Sequence, residues 1–252
     1  MARFRSTNPL DVLRWLPVFA IFLFAACGSP KPAALVFNPA PWQDGEQHVL
    51  AITDREGKPA GQLEFSISAG VNDQDEPLWV IQRTITSGGN QESITVKIDE
   101  KGFRPRASYL ERTDANSVES VDAQYNNGQV DLTLNTKQNV MTVQRAQIPS
   151  DARETVTLPI LVRALPLTRN YATQINAYLP LANQLERITV RVDGEETLTT
   201  PAGAIKSWVV VLDSGDAKSK AWVAQDSPHQ LLKYVEGRTQ TTFDLQTYQA
   251  GP

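Results

Sequence analysis

The side chains best suited to nucleophilic, acid–base or metal chemistry are few in this sequence. The 252 residues include two histidines, His48 and His229, and one cysteine, Cys27. A catalytic zinc usually has three protein ligands drawn largely from histidine, so two histidines do not predict such a site. The motifs HExxH, CxxC, GxSxG, GxGxxG and the Walker loop do not occur in the chain. We therefore expect no enzyme, no cofactor and no metal.

Two weaker chemical interpretations stay open. Asp73, Asp75 and Glu76 lie close together, but the spacing and the central glycine of an EF-hand calcium loop are missing. A serine–histidine arrangement is assembled in space and not in sequence, so a hydrolase that uses His48 or His229 remains an alternative.

The single cysteine stands at the end of an apolar N-terminal run. Three arginines precede the run WLPVFAIFLFAA (15–26), which ends in small residues just before Cys27. A basic segment, a short apolar segment and small residues in this order are typical of a secretory signal peptide. The run is too short to cross a bilayer as a helix, which needs about 20 apolar residues. We expect residues 1–26 to be a signal peptide and the protein to be exported.

The residues FAAC (24–27) resemble the lipobox of bacterial lipoproteins, although that family prefers leucine where this chain has Phe24. The resemblance implies cleavage before Cys27, acylation of Cys27 with fatty acids such as palmitate, and a membrane anchor on the extracytoplasmic side, in the periplasm or at the cell surface. Two acyl chains suffice for stable anchoring. Residues 27–41 are rich in proline and alanine and predict a tether, of which residues 35–37 are apolar enough to dock on the domain.

The charge of the chain argues against nucleic acid as a partner. The chain has 24 basic and 28 acidic residues, and the leader accounts for three arginines and one aspartate. The remaining domain therefore has 21 basic and 27 acidic residues, a net charge of −6, with no cluster of lysine or arginine. Nucleic-acid-binding domains present a basic patch. We expect membrane affinity to come from the lipid and no binding of nucleic acid.

From Trp42 onward, apolar residues alternate with polar ones, which is typical of antiparallel strands with one buried face. Runs with this period include 94–98, 130–134 and 188–192. Turn-forming pairs separate the runs. The strongest is Asn127-Gly128, which suits a two-residue hairpin, and Asp193-Gly194 is interpreted as another turn. The pattern predicts a single β-rich domain over residues 42–250.

One segment departs from this alternation. Apolar residues recur at helical spacing between Thr157 and Pro166, with Thr157 as a candidate N-cap and Pro159 in the first turn. The strand expected over 206–212 is apolar on both faces, so the helix is expected to cover it. The predicted fold is all-β and mainly antiparallel: a large curved meander sheet or half-open barrel, with one short covering helix near 157–166.

The C-terminal third resembles a family of exported bacterial domains, the domain-of-unknown-function family 3108. The resemblance rests mainly on TPAG (200–203), AWVA (221–224) and DSPH (226–229). It implies an envelope protein dominated by antiparallel β-structure, and it brings no established reaction. No catalytic residue follows from it.

The expected architecture is also similar to that of the lipoprotein carriers of the bacterial envelope, in which a curved sheet and a helical lid enclose an apolar cavity. This is an analogy of fold, which does not determine function. It suggests that the helix is a lid over a pocket for a lipid or another hydrophobic ligand. The residues expected to line the pocket are Trp79, Leu161, Leu165, Tyr171, Tyr178, Trp208 and Trp222. The alternative is that these side chains fill the core.

Taken together, the sequence predicts a non-enzymatic, lipid-anchored extracytoplasmic protein that binds a hydrophobic ligand or an envelope protein. Ligand binding requires an unfilled cavity between helix and sheet. The alternative, a structural scaffold of an envelope complex, requires a filled core and an exposed apolar patch. A hydrolase would require His48 or His229 beside a serine or a carboxylate in a cleft.

Overall fold

The computed structural model describes residues 32–115, 117–135 and 140–251. The expected signal peptide and the expected acylation site at Cys27 lie outside the described residues. The described residues form fifteen strands, a four-residue α-helix and three 3-10 turns. The strands are β1 (Glu46–Thr53), β2 (Pro59–Val71), β3 (Pro77–Ser87), β4 (Asn90–Asp99), β5 (Pro105–Asp114), β6 (Ser117–Asn126), β7 (Gln129–Asn135), β8 (Met141–Gln147), β9 (Arg153–Glu154), β10 (Ala172–Leu179), β11 (Gln184–Thr200), β12 (Gly203–Asp213), β13 (Lys218–Ala224), β14 (Leu231–Val235) and β15 (Thr242–Gln249). The helix α1 is Leu158–Leu161, and the 3-10 turns are Thr155–Thr157, Val162–Ala164 and Pro180–Ala182.

All fifteen strands belong to one sheet that consists of two meanders. Strands β1 to β8 pair in chain order, as do β10 to β15, and the pairing of β1 with β15 joins the two meanders. The strand pairs are antiparallel except β9–β10. The sheet stays open between β8 and β9, its two edges. The prediction of a mainly antiparallel, half-open meander is thus confirmed.

The alternation in the sequence sets the inner face of the sheet. Val130 and Leu132 on β7 are fully buried, with more exposed residues between them. Asn127 and Gly128 have φ values of 40° and 89°, the two positive values that a two-residue hairpin requires. The interpretation of Asp193-Gly194 as a turn is wrong. This pair lies inside β11 at a register shift, where an extra residue bends the strand without reversing the chain.

Gly61 allows an unusually close approach of two strands. Its φ is +141°, and a Cβ at this position would lie 2.1 Å from the carbonyl oxygen of Thr86 on β3. Only glycine combines that dihedral angle with that distance, so β2 and β3 can pair closely here.

The helical segment is shorter and less regular than the sequence predicts. It consists of one turn of α-helix between two 3-10 turns, and it ends before Pro166. Thr157 does not cap the helix, because its hydroxyl donates to the carbonyl oxygen of Glu154 at 2.7 Å. Every residue from Thr157 to Leu165 is buried, and the apolar ones belong to the main core. The segment is therefore part of the core and not a surface lid.

The N-terminal segment that the sequence assigns to the tether lies against the domain from Ala33 onward. The Ala33 amide donates to the carbonyl oxygen of Ala172 at 2.8 Å, and the Asn38 amide to that of Ala164 at 2.7 Å. The Phe37 ring packs edge-on against Phe103, with 5.1 Å between centroids. These contacts fix residues 33–38 across the helical segment and β10.

Candidate functional site

A cavity of about 270 Å³ lies on the concave face of the sheet. It occupies the end of the sheet that carries the β3–β4, β10–β11 and β12–β13 turns, and it reaches to the helical segment at Leu158. Both meanders contribute to its wall. Its apolar lining includes Phe65, Ile94, Leu110, Val121, Ile188 and Leu212. An open, largely apolar space thus remains between helix and sheet.

Charged side chains enter the cavity wall because they are in phase with inward-facing apolar residues. Side chains two positions apart on a strand point to the same face. On β3, β4 and β5 these pairs are Ile81 and Arg83, Ile94 and Glu92, and Leu110 and Arg112. Register then places Glu92 directly opposite Arg112 on the neighbouring strand. The sequence pattern therefore builds a charged cluster into an apolar face.

Glu92 lies between two guanidinium groups in this cluster. It accepts a hydrogen bond from Nε of Arg112 at 3.0 Å and another from Nη2 of Arg83. The side chains of Arg83 and Glu92 are only 20% and 17% exposed. Burial lowers the pKa of Arg83, although the charge of Glu92 opposes this effect. The wall thus contains two cations that share one carboxylate.

Two buried polar atoms of the cavity residues have no hydrogen-bond partner in the described structure. They are Nε of Arg83 and the hydroxyl oxygen of Thr155, and both residues line the cavity. A buried donor without an acceptor costs about 1–3 kcal/mol, and most such groups in native proteins are satisfied. A ligand oxygen that reached either group would satisfy it.

Glu154, next to Thr155, is a third polar group of the cavity wall and is buried at 3% exposure. Its Oε2 accepts a hydrogen bond from the Tyr125 hydroxyl at 2.7 Å. Burial raises the pKa of Glu154 to about 7, because loss of hydration outweighs this hydrogen bond and the nearby charge of Arg83. Near neutral pH the carboxyl is therefore partly protonated, which weakens its compensation of Arg83.

The facing part of the wall is acidic. Glu186 accepts a hydrogen bond from Nη2 of Arg238 at 2.6 Å, and Glu236 accepts one from the Arg238 backbone amide at 3.0 Å. All three residues line the cavity. The cavity therefore has a cationic cluster on one meander and an acidic one on the other.

The histidines lie elsewhere, and His48 is buried in a separate ion-pair cluster. Its Nε2 donates to Oε1 of Glu46 at 2.8 Å, and Arg163 of the helical segment donates to the same oxygen at 2.6 Å. All three side chains have 0% exposure. Burial opposes ionisation of Glu46, but the hydrogen bonds from His48 and Arg163 outweigh it and lower its pKa to about 2. Burial lowers the pKa of His48 despite its bond to Glu46.

His229 lies in the turn after β13 and contributes backbone to the same cluster. Its carbonyl oxygen accepts a hydrogen bond from Nε of Arg163 at 2.8 Å, and the Pro228 carbonyl accepts one from Nη2 at 3.0 Å. Arg163 thereby ties the helical segment to β1 and to the β13–β14 turn. His229 also borders a shallow hollow together with Leu165 and Trp208.

The structure places the seven expected pocket residues outside the cavity. None of them is among the described residues that line it. Leu161 and Leu165 point into the core from the buried helical segment, and Trp79 packs edge-on against Trp42 with 6.2 Å between centroids. Tyr171 and Trp208 are half-buried against the main core.

The remaining two expected pocket residues have specific polar contacts. Tyr178 is 1% exposed and donates to Oδ1 of Asn183 at 2.8 Å. Nε1 of Trp222 donates to Oε2 of Glu196 at 2.6 Å. These two side chains therefore brace the fold through hydrogen bonds outside the cavity.

The charged cavity residues were not identified from the sequence, although a signal for them exists. Arg83, Glu92 and Arg112 each continue an inward-facing apolar series by two positions. A charged side chain two positions from a buried apolar one points to the same face of the sheet, where it either forms an ion pair in the core or borders a cavity. Sequence alone could not decide between the two, because the distance between opposing strands depends on the curvature of the sheet.

The described residues offer neither a metal-binding cluster nor a membrane-spanning helix. They contain no cluster of three or more histidine, cysteine, aspartate or glutamate side chains arranged to hold a metal ion. No helix in residues 32–115, 117–135 and 140–251 has the length and apolar character needed to cross a membrane.

Comparisons with known structures show the fold. A β-barrel-like protein of the domain of unknown function DUF1849 from Brucella abortus matches with a TM-score of 0.53 and 9% identity, covering 83% of this chain and 99% of that one. A Bacteroides fragilis protein with a YmcC-like fold matches with a TM-score of 0.34 and 14% identity, covering 84% of this chain and 98% of that one. A TM-score this low does not establish a shared fold.

Comparison at the level of sequence identifies the family. No curated protein matches the chain significantly. The model of a family described as proteins of unknown function, DUF3108, matches residues 49–244. This match extends the predicted resemblance from the C-terminal third to most of the sheet, so the chain belongs to the DUF3108 family.

Proposed function

We propose that this protein is a lipid-anchored, extracytoplasmic binding protein whose cavity holds a hydrophobic ligand. The observation that carries the proposal is the open space of about 270 Å³ between the buried helical segment and the sheet. Protein interiors are ordinarily packed as densely as organic crystals. A largely apolar space of this size beside the buried helical segment favours a ligand site over a filled core.

The lining and the size of the cavity fit one small hydrophobic molecule. Ligand sites are mostly apolar with a few polar groups that fix orientation, and they typically enclose about 300–1,000 Å³. A volume of about 270 Å³ lies just below this range. It suits one acyl chain better than a lipid with several chains. Each methylene group removed from water would contribute about 0.8 kcal/mol to binding.

The anchoring part of the proposal rests on the lipobox-like sequence and on the docked N-terminal segment. Residues 28–32 separate Cys27 from Ala33, which is hydrogen-bonded beside the first residue of β10. A chain of this length spans at most about 20 Å. An acylated Cys27 would therefore hold this end of the domain close to the membrane. Since β10 runs from there to Leu179 in the cavity wall, the cavity lies at the end remote from the anchor.

The ligand is tested by native mass spectrometry of the full chain, expressed with its leader in a bacterial host and released from detergent in the instrument. We expect an added mass on the wild-type protein and none on Leu110→Trp, in which the larger side chain occupies the cavity. Tyr109→Trp is the matched control, because Tyr109 is the neighbouring residue and is 44% exposed. It should retain the ligand.

Two results would contradict this part of the proposal. One is a bare wild-type mass even after incubation with dodecanol or dodecanoate. The other is an added mass that persists in Leu110→Trp and also in Val156→Phe, a second cavity-filling variant. Circular dichroism spectra of the variants establish that each is folded.

The anchor is tested separately with Cys27→Ser and a clickable palmitate analogue supplied to the expressing cells. We expect the wild-type chain to incorporate the analogue and the variant to lose it, with altered electrophoretic mobility. Ser29→Ala, a change two residues away, should incorporate it normally. Equal labelling of Cys27→Ser would show that acylation at this cysteine is not the anchor.

A further inference from the structure

We propose that the ligand is a single-chain amphiphile with an anionic head group, a carboxylate or a phosphate, that binds between Arg83 and Thr155. This inference rests on the proposed function, since it requires that the cavity hold a hydrophobic ligand. It adds the chemistry of the head group and the orientation of the molecule.

The first argument is the set of donors that the protein leaves unused. Arg83 donates from Nη2 to Glu92, whereas its Nε is buried without an acceptor. The hydroxyl of Thr155, another residue of the cavity wall, is also buried without a partner. A guanidinium group presents donors in a fixed plane that matches the oxygens of a carboxylate or phosphate. An anionic head here would accept from both residues.

The second argument is the local charge. Glu92 is the hydrogen-bonded counterion of both Arg83 and Arg112, and Glu119 lies 4.0 Å from Arg112 at the limit of ion-pair distance. The remaining acid near Arg83 is Glu154, whose burial favours the protonated form. Arg83 thus shares the charge of Glu92 with Arg112, and an anionic ligand would give Arg83 a counterion of its own.

The third argument is orientation. The facing wall carries Glu186 and Glu236 with the single cation Arg238, so it repels an anionic head. The head is thereby directed to the Arg83 side. The chain is directed along the apolar lining, which includes Leu110 and Ile188. A cationic head group would instead be attracted to the acidic wall, away from Arg83 and Thr155.

The inference is tested by isothermal titration calorimetry of the full chain in phospholipid nanodiscs, with empty nanodiscs as the reference. The ligands are dodecanoate, dodecyl phosphate, dodecanol, dodecylamine and acetate. We expect at least one of the two anionic amphiphiles to bind ten or more times more tightly than dodecanol. Dodecylamine and acetate should bind more weakly than the preferred anion. The preferred anion identifies the head group.

Variants locate the head group. Arg83→Gln should reduce the affinity for the preferred anion about tenfold or more, to near that for dodecanol. The matched control is Arg145→Gln, because Arg145 is 67% exposed on β8 and pairs with Asp131 away from the cavity. It should bind like the wild type. If Arg83→Gln does not fold, two other measurements test the inference. One is the comparison of head groups on the wild type, and the other is Thr155→Val, which should bind the preferred anion several-fold more weakly.

The outcomes separate this inference from the proposed function. If dodecanol binds as tightly as both anions, or if Arg83→Gln folds and keeps the preference for the anion, the head-group assignment is wrong and the hydrophobic site stands. If acetate binds as tightly as dodecanoate, the site recognises an anion and not an amphiphile. If no amphiphile binds, both proposals fail.

Discussion

The buried carboxyl of Glu154 should make the stability of the fold depend on pH, and Glu154→Gln should remove that dependence. In the folded protein, burial raises the pKa of Glu154 to about 7, against 4.5 for an exposed glutamate. Between these two values the unfolded chain has released a proton that the folded protein still holds. The contribution of Glu154 to the free energy of unfolding is therefore fully present below pH 4.5 and is lost as the pH rises through 7.

The size of the effect follows from the separation of the two pKa values. At about 1.4 kcal/mol per pH unit, a rise from 4.5 to about 7 corresponds to a loss of about 3 kcal/mol between pH 4 and pH 8. Glutamine keeps an oxygen that can accept the hydrogen bond from Tyr125 and carries no titrating proton. The variant should thus gain about 3 kcal/mol relative to the wild type over this range.

The assay is urea unfolding at pH values from 4 to 8, followed by tryptophan fluorescence and far-ultraviolet circular dichroism. The quantity of interest is the difference in free energy of unfolding between Glu154→Gln and the wild type. Taking the difference removes contributions common to both proteins, such as that of His48. Burial lowers the pKa of His48, so its contribution to the free energy of unfolding rises with pH, opposite to that of Glu154. Thr155→Val, a neighbouring change without a titrating group, should give a curve parallel to the wild type.

A difference that stays constant to within about 0.5 kcal/mol from pH 4 to pH 8 would refute the reasoning, because the linkage between proton binding and stability leaves no other outcome for a buried acid with a raised pKa. A difference that falls as the pH rises would mean that Glu154 is held in its charged form. Either result would also remove one argument for the anionic head group.

Two further predictions concern the fold itself. Arg163→Met should destabilise the protein by about 3–5 kcal/mol in urea unfolding, because it leaves the buried charge of Glu46 without its guanidinium counterion. Arg169→Met, at an ion pair whose arginine is 80% exposed, should change stability by less than about 1 kcal/mol; equal effects of the two variants would contradict the argument. Gly61→Ala should cost about 3 kcal/mol, since strain in φ and a backbone clash add, whereas Gly57→Ala, with a φ of +82° and no atom within 4 Å, should cost about 1 kcal/mol. Thermal unfolding that ranks Gly57→Ala as the more damaging change would be inconsistent with the close approach of β2 and β3.

Much of the fold could be predicted from the sequence because each strand has its own local signal. The alternation at 130–134 predicts β7, and Asn127-Gly128 predicts the hairpin before it. The helical segment was located within two residues of its bounds, since Pro159 and Pro166 limit where a helix can begin and end. Asp193-Gly194 was misinterpreted because a glycine that permits a bulge and one that permits a turn look the same in sequence.

The residues that line the cavity could not be predicted from the sequence as the strands could. A cavity is a property of the curvature of the whole sheet, and no local pattern distinguishes an inward side chain that meets an open space from one that meets another side chain. Trp222 and Tyr178 are reasonable candidates by residue type, yet both make polar contacts outside the cavity, whereas other aromatic residues such as Phe65 and Phe243 border it. The polar wall around Arg83 depends on register between three strands, which becomes known only with the structure.

The two strands that join the meanders, β1 and β15, lie far apart in the sequence. Strand β1 is the central strand of the sheet and the first of the described strands to be synthesised, whereas its neighbour β15 is the last of them. The hydrogen bond from Tyr248 to Glu46 joins residues 202 positions apart. Until the final strand arrives, the middle of the sheet presents an unpaired edge, which can pair with other chains. The sheet is therefore completed at its centre and only after β15 has been synthesised, so a chain that loses β15 loses the junction between its two halves.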